Sequence, residues 1–221
     1  MAETSFRIGI NCNKDTMQLI IIRHGETLWN KEGRVQGISD VELSTVGIEQ
    51  ARLLALSLKD HPIRVIHTSP LKRALKTAEV INESHRKEIH THNDLMEIDA
   101  GDFEGVSYKK LVACEKDFLN KWIADPASVK MPNGESFTQL QDRAWRAMER
   151  IINKEENALV VAHNFTIAAI ICRIRGISLN EFQSSCVGNA SKTIVNFQKD
   201  GMFIETFDDR SHLQEDIKSS G

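Results

Sequence analysis

The chain has 221 residues, of which 41% are hydrophobic and 27% are charged, a composition typical of a soluble globular protein with a substantial core. Its net charge of −3 indicates no general affinity for polyanions, so we expect no nucleic-acid partner, and any anion site has to be a local cluster of Arg and His side chains. No run of about 18 apolar residues is present, which predicts no membrane span and no membrane partner.

Neither the cysteines nor the N-terminal residues indicate secretion. The four cysteines form no CxxC pair, which argues against a disulfide framework or a zinc site; they are Cys12, Cys114, Cys172 and Cys186. We therefore expect free thiols in a reducing compartment, the cytoplasm. Residues 1–16 lack the apolar core of a signal peptide. We predict an N-terminal extension over residues 1–16, one globular domain over 17–208 and a polar C-terminal tail over 209–221.

The first half of the domain alternates strand and helix patterns. Residues 19–22 form a continuous apolar run that predicts a fully buried parallel strand. Ser44 is a candidate N-cap for a helix that ends near residue 60, and residues 64–67 predict a short strand. Ser69 and Pro70 predict the start of the next helix, because serine caps free N–H groups and proline is tolerated in the first turn.

The second half continues this alternation. Residues 108–124 predict one helix, and Ser136 with Gln139 forms a capping box that opens another helix, ending near residue 153. The remaining predicted elements are a buried strand over residues 158–162, a helix over 165–175, and two strands over 193–197 and 202–207 joined by a turn at Asp200 and Gly201. We therefore predict an α/β fold, a three-layer α/β/α sandwich with a mainly parallel central sheet.

Four candidate cationic groups lie at strand ends or helix starts. Arg23 and His24 follow the first strand, and His163 follows the second buried strand. Arg73 lies in the first turn of the helix predicted after Ser69. Ligands of open α/β sheets bind beyond the carboxyl ends of the strands, and arginine presents several donors to phosphate oxygens. Together, the four groups favour a site for a phosphoryl group.

Each of these residues also has a purely structural interpretation. Arg73 fits a solvated arginine, and His163 fits a hydrogen-bonded core histidine. Arg23 has Glu26 and Asp40 as candidate ion-pair partners.

Other phosphatase chemistries leave signatures that this sequence lacks, since no cysteine has an arginine six residues later and there is no Walker loop or G-x-S-x-G elbow.

Polar motifs follow one another in a definite order along the whole domain. They are Arg23-His24-Gly25-Glu26, Asn30, Gln36-Gly37, Asp40, Ser69-Pro70-Leu71-Lys72-Arg73-Ala74, Glu97-Ile98-Asp99-Ala100-Gly101-Asp102-Phe103-Glu104-Gly105, Pro132-Asn133-Gly134-Glu135-Ser136 and Ala162-His163-Asn164. In this order and at these spacings, the chain resembles the histidine phosphatase superfamily, also called phosphoglycerate mutase-like, and its phosphatase branch in particular. The stretch Gly188-Asn189-Ala190-Ser191 most resembles the metal-independent phosphoserine phosphatases of that family.

The resemblance implies a catalytic role for each of five residues. His24 is the nucleophile: a neutral imidazole attacks phosphorus through one nitrogen while the other donates to a backbone carbonyl, and the product is phosphohistidine. Glu97 is the general acid that protonates the leaving group and then activates water, which requires it to carry a proton while His24 is neutral. Arg23, Arg73 and His163 stabilise charge on the equatorial phosphoryl oxygens.

Neutral groups are also implied to face phosphate or substrate: they are Asn30, Gln36, Gly37 and Asn164, the last through its backbone N–H. The resemblance implies no cofactor and no metal ion, and the arginines beside His24 would repel a cation. His90 and His92 suggest a metal site by their spacing, but we expect them to be surface histidines.

Other acidic and polar residues near the candidate acid are expected to have structural roles. We expect Asp99, Asp102 and Glu104 to bind backbone groups or solvent. Glu135 and Ser136 are expected to be loop and helix-cap residues.

Two positions depart from the family pattern. Asn164 stands where many relatives have glycine after the second histidine, which makes the pocket wall bulkier. Ala100 stands where the phosphoserine phosphatases of the family have a histidine that helps to bind substrate. Phosphoserine specificity therefore does not follow directly from the resemblance.

We therefore expect a metal-independent phosphatase that hydrolyses a small phosphomonoester metabolite, with phosphoserine or broad specificity favoured. α-Ribazole phosphate and phosphoglycerate also remain open as substrates. One alternative is a cofactor-dependent phosphoglycerate mutase. A second is a weakly active regulatory or binding member of the family, against which the intact set of His24, Arg73, Glu97 and His163 argues. The sequence does not indicate the oligomeric state, which leaves a homodimer open.

Overall fold

A central sheet organises the part of the chain that the computed structural model describes, residues 17–198 and 201–213. Its six strands are β1 (Met17–Arg23), β2 (Val65–Thr68), β3 (Ile89–Thr91), β4 (Ala158–Ala162), β5 (Lys192–Gln198) and β6 (Gly201–Asp209). They lie in the order β3-β2-β4-β1-β5-β6; the first four are parallel, and β5 and β6 are antiparallel to their neighbours. The predicted mainly parallel sheet is confirmed. The predictions for residues 1–16, Asp200 and residues 214–221 lie outside the described residues.

Helices cover both faces of this sheet. They are α1 (Leu28–Lys31), α2 (Thr45–Leu58), α3 (Lys72–His85), α4 (Tyr108–Cys114), α5 (Lys116–Ala124), α6 (Phe137–Ile152) and α7 (Asn164–Arg175). Short 3₁₀ segments lie at Asn93–Leu95, Gly101–Phe103 and Leu179–Ser185. The predicted cap of α2 by Ser44 and the predicted capping box of α6 are both confirmed.

Strand β1 is buried on both of its sides. Leu19 and Ile21 pack in one apolar cluster with residues of α6 and α7. Ile20 and Ile22 pack in a second cluster with residues of α2 and α3. Successive side chains of a strand point to opposite faces of the sheet, so the two clusters lie on opposite faces. This arrangement confirms the three-layer α/β/α sandwich.

A third apolar cluster lies among α5, α6, α7 and the segment Leu179–Ser185. Its large side chains include Trp122, Phe137, Phe165 and Phe182, which meet mostly edge to face. Such aromatic contacts are favourable because a positive ring edge meets a negative ring face. Through Phe165, this cluster reaches the first turn of α7, directly after the carboxyl end of β4.

The predicted start of α3 is wrong by two residues. The N-cap is Leu71, and its side chain makes no cap hydrogen bond. Ser69 is still extended, because its N–H donates to the carbonyl of Val161 at 3.0 Å and continues the pairing of β2 with β4. The Ser69 hydroxyl accepts from the N–H of Leu71 at 3.3 Å, before the helix begins. Arg73 nevertheless lies in the first turn, as predicted.

The single helix predicted over residues 108–124 is two helices. Glu115 ends α4 and precedes α5, with backbone angles of φ −116° and ψ 39° that are not helical. The apolar spacing of Leu111, Phe118 and Trp122 fits one continuous helical face, so periodicity gives no sign of the break.

Strand β3 was not predicted, because three residues at a sheet edge carry no periodic signal. It pairs with β2 and places His90 in register with His67. Within the part of the chain that the structure describes, no helix is long and apolar enough to cross a bilayer.

Candidate active site

The pairing of β1 with β4 brings two histidines together. Arg23 lies opposite Ala162 in the parallel register, and the N–H of His24 donates to the Ala162 carbonyl at 3.2 Å. Both strands end at this point, so His24 and His163 occupy equivalent positions just beyond the strand ends. Their ring centroids are 5.0 Å apart, and both side chains are buried. The predicted proximity of these two residues is therefore seen in the structure.

His24 is held in a single tautomer. Its Nδ1 lies 2.7 Å from the carbonyl of Gly25, a contact that requires Nδ1 to donate. Its Nε2 lies 3.3 Å from Nε of Arg73, which can only donate, so Nε2 has to accept. Burial and the charges of Arg73 and Arg23 hold the pKa of His24 well below 6.5. The imidazole is therefore neutral near pH 7, with its lone pair on Nε2.

Arg73 is buried and fixed by four contacts. Nη1 donates to the carbonyl of Ser39 and Nη2 to that of Gly37, each at 2.7 Å. Nε lies between the two histidines, 3.3 Å from Nε2 of His24 and 3.2 Å from Nδ1 of His163. Burial lowers the pKa of Arg73 to about 10, which leaves the guanidinium charged at neutral pH.

The loop that holds Arg73 is itself held by Glu104. This carboxylate accepts from the N–H groups of Ile38 and Ser39, each at 2.7 Å, and from the Ser39 hydroxyl. Gly37 has a φ of +53°, and a Cβ at this position would collide with the Glu104 carboxyl group. The loop conformation therefore requires glycine at position 37.

His163 presents the opposite tautomer to His24. Its Nδ1 accepts from Arg73, so the proton has to lie on Nε2. That Nε2 is buried and has no hydrogen-bond partner among the described residues. Burial and Arg73 hold the pKa of His163 well below 6.5, so this ring is also neutral. It offers one unused N–H donor beside His24.

Arg23 forms neither of the ion pairs suggested by the sequence. Its Nη1 donates to the carbonyl of Val187 at 2.5 Å, while Glu26 accepts from the Ser44 hydroxyl at 2.6 Å. Its Nε is buried and has no hydrogen-bond partner in the described part of the chain. Arg23 lines the same cavity as His24, so it brings a positive charge and a spare donor to that cavity.

Glu97 lies at the N-terminus of α7, on the same cavity. It is 8% exposed, and its Oε1 accepts from the N–H groups of Ile98 and Thr166 at 2.9 and 3.2 Å. Its Oε2 accepts from the N–H of Phe165 at 3.1 Å. Arg143 donates to the Glu97 carbonyl at 2.8 Å. The carboxyl group is thus fixed relative to the helix whose N-cap is His163.

The sequence was compared with models of known protein families. The model of the histidine phosphatase superfamily (branch 1) matches residues 19–210. The chain belongs to the histidine phosphatase superfamily.

Known relatives agree with this assignment. The chain is 31% identical to phosphoserine phosphatase 1 of Hydrogenobacter thermophilus over 201 residues, which are 90% of this chain and 95% of the relative. It is 32% identical to the metal-independent phosphoserine phosphatase of Arabidopsis thaliana over 213 residues, covering 92% and 86% of the two chains. The structure of Bacillus stearothermophilus YhfR superposes with a TM-score of 0.84 at 28% identity, covering 90% of this chain and 100% of that one. The predicted family and phosphatase class are confirmed.

The neutral residues predicted to face the substrate all line the cavity of this histidine phosphatase; they are Asn30, Gln36, Gly37 and Asn164. Both side chains accept a hydrogen bond from Thr27: Oδ1 of Asn30 from its backbone N–H, and Oε1 of Gln36 from the Thr27 hydroxyl. Neither amide nitrogen donates to another described residue, which leaves both as donors. Asn164 uses its Oδ1 to accept from the N–H of Val187 at 3.0 Å.

The acidic residues near Glu97 have structural roles; Asp99 binds a backbone group as the sequence predicts, whereas Asp102 binds a side chain. Oδ1 of Asp99 accepts from the N–H of Gly101, and Oδ2 of Asp102 accepts from the side chain of Asn133. Glu135 accepts from the N–H of Asp99 and pairs with Arg143 at 2.5 Å.

The metal interpretation of His90 and His92 finds no support in the geometry. Both are partly exposed, and Nε2 of His92 makes a hydrogen bond of 2.9 Å with Nδ1 of His67. Within the described ranges, no group of three or more His, Cys, Asp or Glu side chains is arranged to hold a metal ion.

Two residues that support the site have no role in the site predicted from the sequence. Asn189 is buried, and its Nδ2 donates to Oδ1 of Asn30 at 3.1 Å and to the His24 carbonyl at 3.4 Å. Arg143 donates to the backbone carbonyls of Asp94, Met96 and Glu97. A signal existed for Arg143, because a charged residue occupies the otherwise apolar face of α6 between Leu140 and Ala147.

Proposed function

We propose that this chain hydrolyses small phosphomonoesters through a phosphohistidine at His24, without a metal ion. The observation that carries the proposal is the fixed tautomer of His24: Nδ1 donates to Gly25, and Nε2 keeps its lone pair next to Arg73. A neutral imidazole in this form is a nucleophile that needs no further base.

The phosphoryl oxygens would be bound by donors that the protein leaves free or holds fixed. Nε2 of His163 and Nε of Arg23 have no hydrogen-bond partner among the described residues. Arg73 is held by two backbone carbonyls, so its charge stays in place as the substrate changes shape. Preorganised donors of this kind stabilise the negative charge of the transition state.

In the first step, the bond between His24 Nε2 and phosphorus forms as the ester P–O bond breaks. The departing oxygen takes a proton from Glu97, which lines the same cavity as His24. In the second step, Glu97 takes a proton from water, the water oxygen attacks phosphorus, and the N–P bond breaks. Phosphate leaves, and His24 and Glu97 return to their initial states.

We also propose a cytoplasmic location. Cys114, Cys172 and Cys186 are free thiols, as expected for a reducing compartment. Burial raises the pKa of Cys186 to about 11, so this thiol beside Asn164 stays protonated and does not compete with His24 as a nucleophile.

A phosphate-release screen tests the proposed reaction. The panel contains phosphoserine, which the names of the relatives suggest, together with α-ribazole phosphate, 3-phosphoglycerate and p-nitrophenyl phosphate. We expect phosphate release that survives exhaustive EDTA treatment. With 3-phosphoglycerate and catalytic 2,3-bisphosphoglycerate, we expect free phosphate to exceed 2-phosphoglycerate. Rapid isomerisation with negligible phosphate would make the protein a mutase, and loss of activity on chelation would contradict the metal-free mechanism.

A further inference from the structure

The cavity that contains His24 is apolar over most of its surface. We propose that it selects phosphomonoesters whose leaving group is compact and apolar, such as an aryl or arylalkyl alcohol, over those that carry an ammonium group. The inference rests on the proposed phosphatase function and specifies its substrate class. Four observations support it: the size of the cavity, its aromatic wall, its aliphatic lining and its charges.

The cavity has room for a leaving group of about one ring. Its volume is about 170 Å³, with Arg23 and His24 at the phosphoryl end. An engineered apolar cavity of about 150 Å³ is known to bind benzene. A small ring therefore fits here, whereas a long chain or a sugar nucleotide would extend into solvent.

One side of the cavity is an aromatic wall formed by Phe103, Phe118, Trp122 and Phe165. Phe103 meets Phe118 edge to face with ring centroids 4.7 Å apart, and Phe118 stacks on Trp122 at 6.3 Å. Trp122 meets Phe165 edge to face at 6.0 Å. Because these rings support one another, the wall is formed before any ligand binds. A ligand ring gains aromatic contact there as well as burial from water.

Most of the remaining lining is aliphatic and comprises Val35, Ile98, Ala100, Leu111, Leu119 and Met131, and the phenol of Tyr108 also lines the cavity. The aliphatic side chains offer no hydrogen bonds to a polar leaving group. A polar group in contact with these aliphatic side chains alone would lose its water without compensation, which is unfavourable.

The charges around the cavity disfavour an ammonium group. Among the described residues, Glu97 is the one acidic side chain that lines the cavity, and its two oxygens already accept hydrogen bonds from Ile98, Phe165 and Thr166. The other charged side chains lining the cavity are the guanidinium groups of Arg23 and of Arg34, the second of which pairs with Glu32 at 2.7 Å. A ligand ammonium would therefore compete with backbone N–H groups for this one carboxylate and would face the positive charge of Arg23.

Binding of three phosphonates, measured by isothermal titration calorimetry, tests the inference independently of turnover. In each probe a methylene replaces the ester oxygen: 2-phenylethylphosphonate mimics benzyl phosphate, 2-amino-4-phosphonobutyrate mimics phosphoserine, and ethylphosphonate mimics methyl phosphate. We expect the phenyl probe to bind on the order of ten- to a hundredfold more tightly than ethylphosphonate, because it buries a ring. We expect the amino acid probe to bind no better than ethylphosphonate. Equal or tighter binding of the amino acid probe than of the phenyl probe overturns the inference.

Matched variants locate the preference within the cavity. Leu119→Asn on α5 and Val112→Asn on α4 place an amide in the apolar lining, and Val112 is already 61% exposed, so its substitution spares the core. Ile123→Asn is the control, because Ile123 lies on α5, is 65% exposed and does not line the cavity. We expect the affinity ratio of the phenyl probe to ethylphosphonate to fall severalfold in the first two variants and to stay unchanged in the control. An unchanged ratio in both lining variants, or an equal fall in the control, overturns the inference.

Phosphate release separates this inference from the proposed function. Hydrolysis of p-nitrophenyl phosphate with no preference for the phenyl probe contradicts the substrate class and leaves the phosphatase reaction intact. The expected phenyl preference without phosphate release from any ester contradicts the phosphatase reaction and shows only that the cavity binds apolar phosphonates.

Discussion

Nε of Arg73 lies 3.3 Å from Nε2 of His24, the atom to which we assign nucleophilic attack. The contact keeps the proton off this nitrogen and places a positive charge where the phosphoryl group would bind. The same Nε reaches His163, so one buried guanidinium group sets the tautomers of both histidines. The arrangement connects three separate parts of the chain, the ends of β1 and β4 and the start of α3.

Replacing Arg73 with lysine should abolish most activity. A lysine ammonium cannot contact two histidines and two backbone carbonyls in the planar geometry of a guanidinium group. We expect Arg73→Lys to lower kcat/KM for p-nitrophenyl phosphate by roughly 10²–10³-fold, the usual cost of losing one preorganised donor. Arg52→Lys is the control, since Arg52 is exposed and pairs with Glu49 at 3.2 Å on the surface of α2. Activity of Arg73→Lys close to that of Arg52→Lys would contradict the role of Arg73 in the active site.

Gly37→Ala should lower activity by displacing the carbonyl that holds Arg73. Gly37 and Gly33 both have positive φ, +53° and +63°, so alanine at either position introduces similar backbone strain, about 1–2 kcal/mol. A Cβ at position 33 meets no atom within 4 Å, whereas one at position 37 collides with Glu104. We expect both variants to lose thermal stability, Gly37→Ala more than Gly33→Ala because of this collision, but a marked fall in kcat for Gly37→Ala alone. Equal kcat values would show that the loop around Gly37 does not control the site.

Stability should decrease below pH 6.5 because of the buried neutral histidines. The pKa of His24 is well below 6.5 in the folded protein and close to 6.5 in the unfolded chain. At a pH between the two, the unfolded chain binds a proton that the native state does not bind. The free energy of unfolding then falls as the pH falls, by about 1 kcal/mol per pH unit for one such group. Urea unfolding at pH 7.5 and 5.5 should show a smaller decrease for His24→Gln than for the wild type. Ile123→Asn, at a residue that carries no titratable group and is 65% exposed, should behave like the wild type. The same decrease in all three proteins would argue against a neutral His24.

Glu97→Gln should slow the reaction most for poor leaving groups. General acid catalysis contributes roughly 10²–10⁴-fold, so hydrolysis of an alkyl phosphate should fall by that factor. Hydrolysis of p-nitrophenyl phosphate should fall much less, because nitrophenolate leaves without a proton. The ratio of the two rates is the measurement that matters, since a general loss of structure lowers both alike. Equal losses would assign Glu97 to positioning α7 rather than to proton transfer.

Much of the site could be predicted because it lies at element ends. The apolar runs before His24 and His163 predict buried strands, and parallel strands bring their carboxyl ends to one edge. Arg73 lies within the first turn of α3, as the sequence predicts, although the helix begins two residues later than predicted. What the sequence could not show depends on tertiary packing: the break at Glu115, the short edge strand β3 and the contacts of Arg143 with three carbonyls. The aromatic wall brings together side chains from α5, α7 and the segment Gly101–Phe103, and no local pattern links these segments.

Trapping the covalent intermediate tests the central claim most directly. Brief incubation with ³²P-labelled substrate, followed by denaturation and peptide mapping, should place the label on the peptide that contains His24. The label should survive alkali and be lost in acid, as a phosphoramidate does, and His24→Ala should remove both label and turnover. An acid-stable label, a label on another residue, or near wild-type turnover in His24→Ala would contradict the assignment of His24 as the nucleophile.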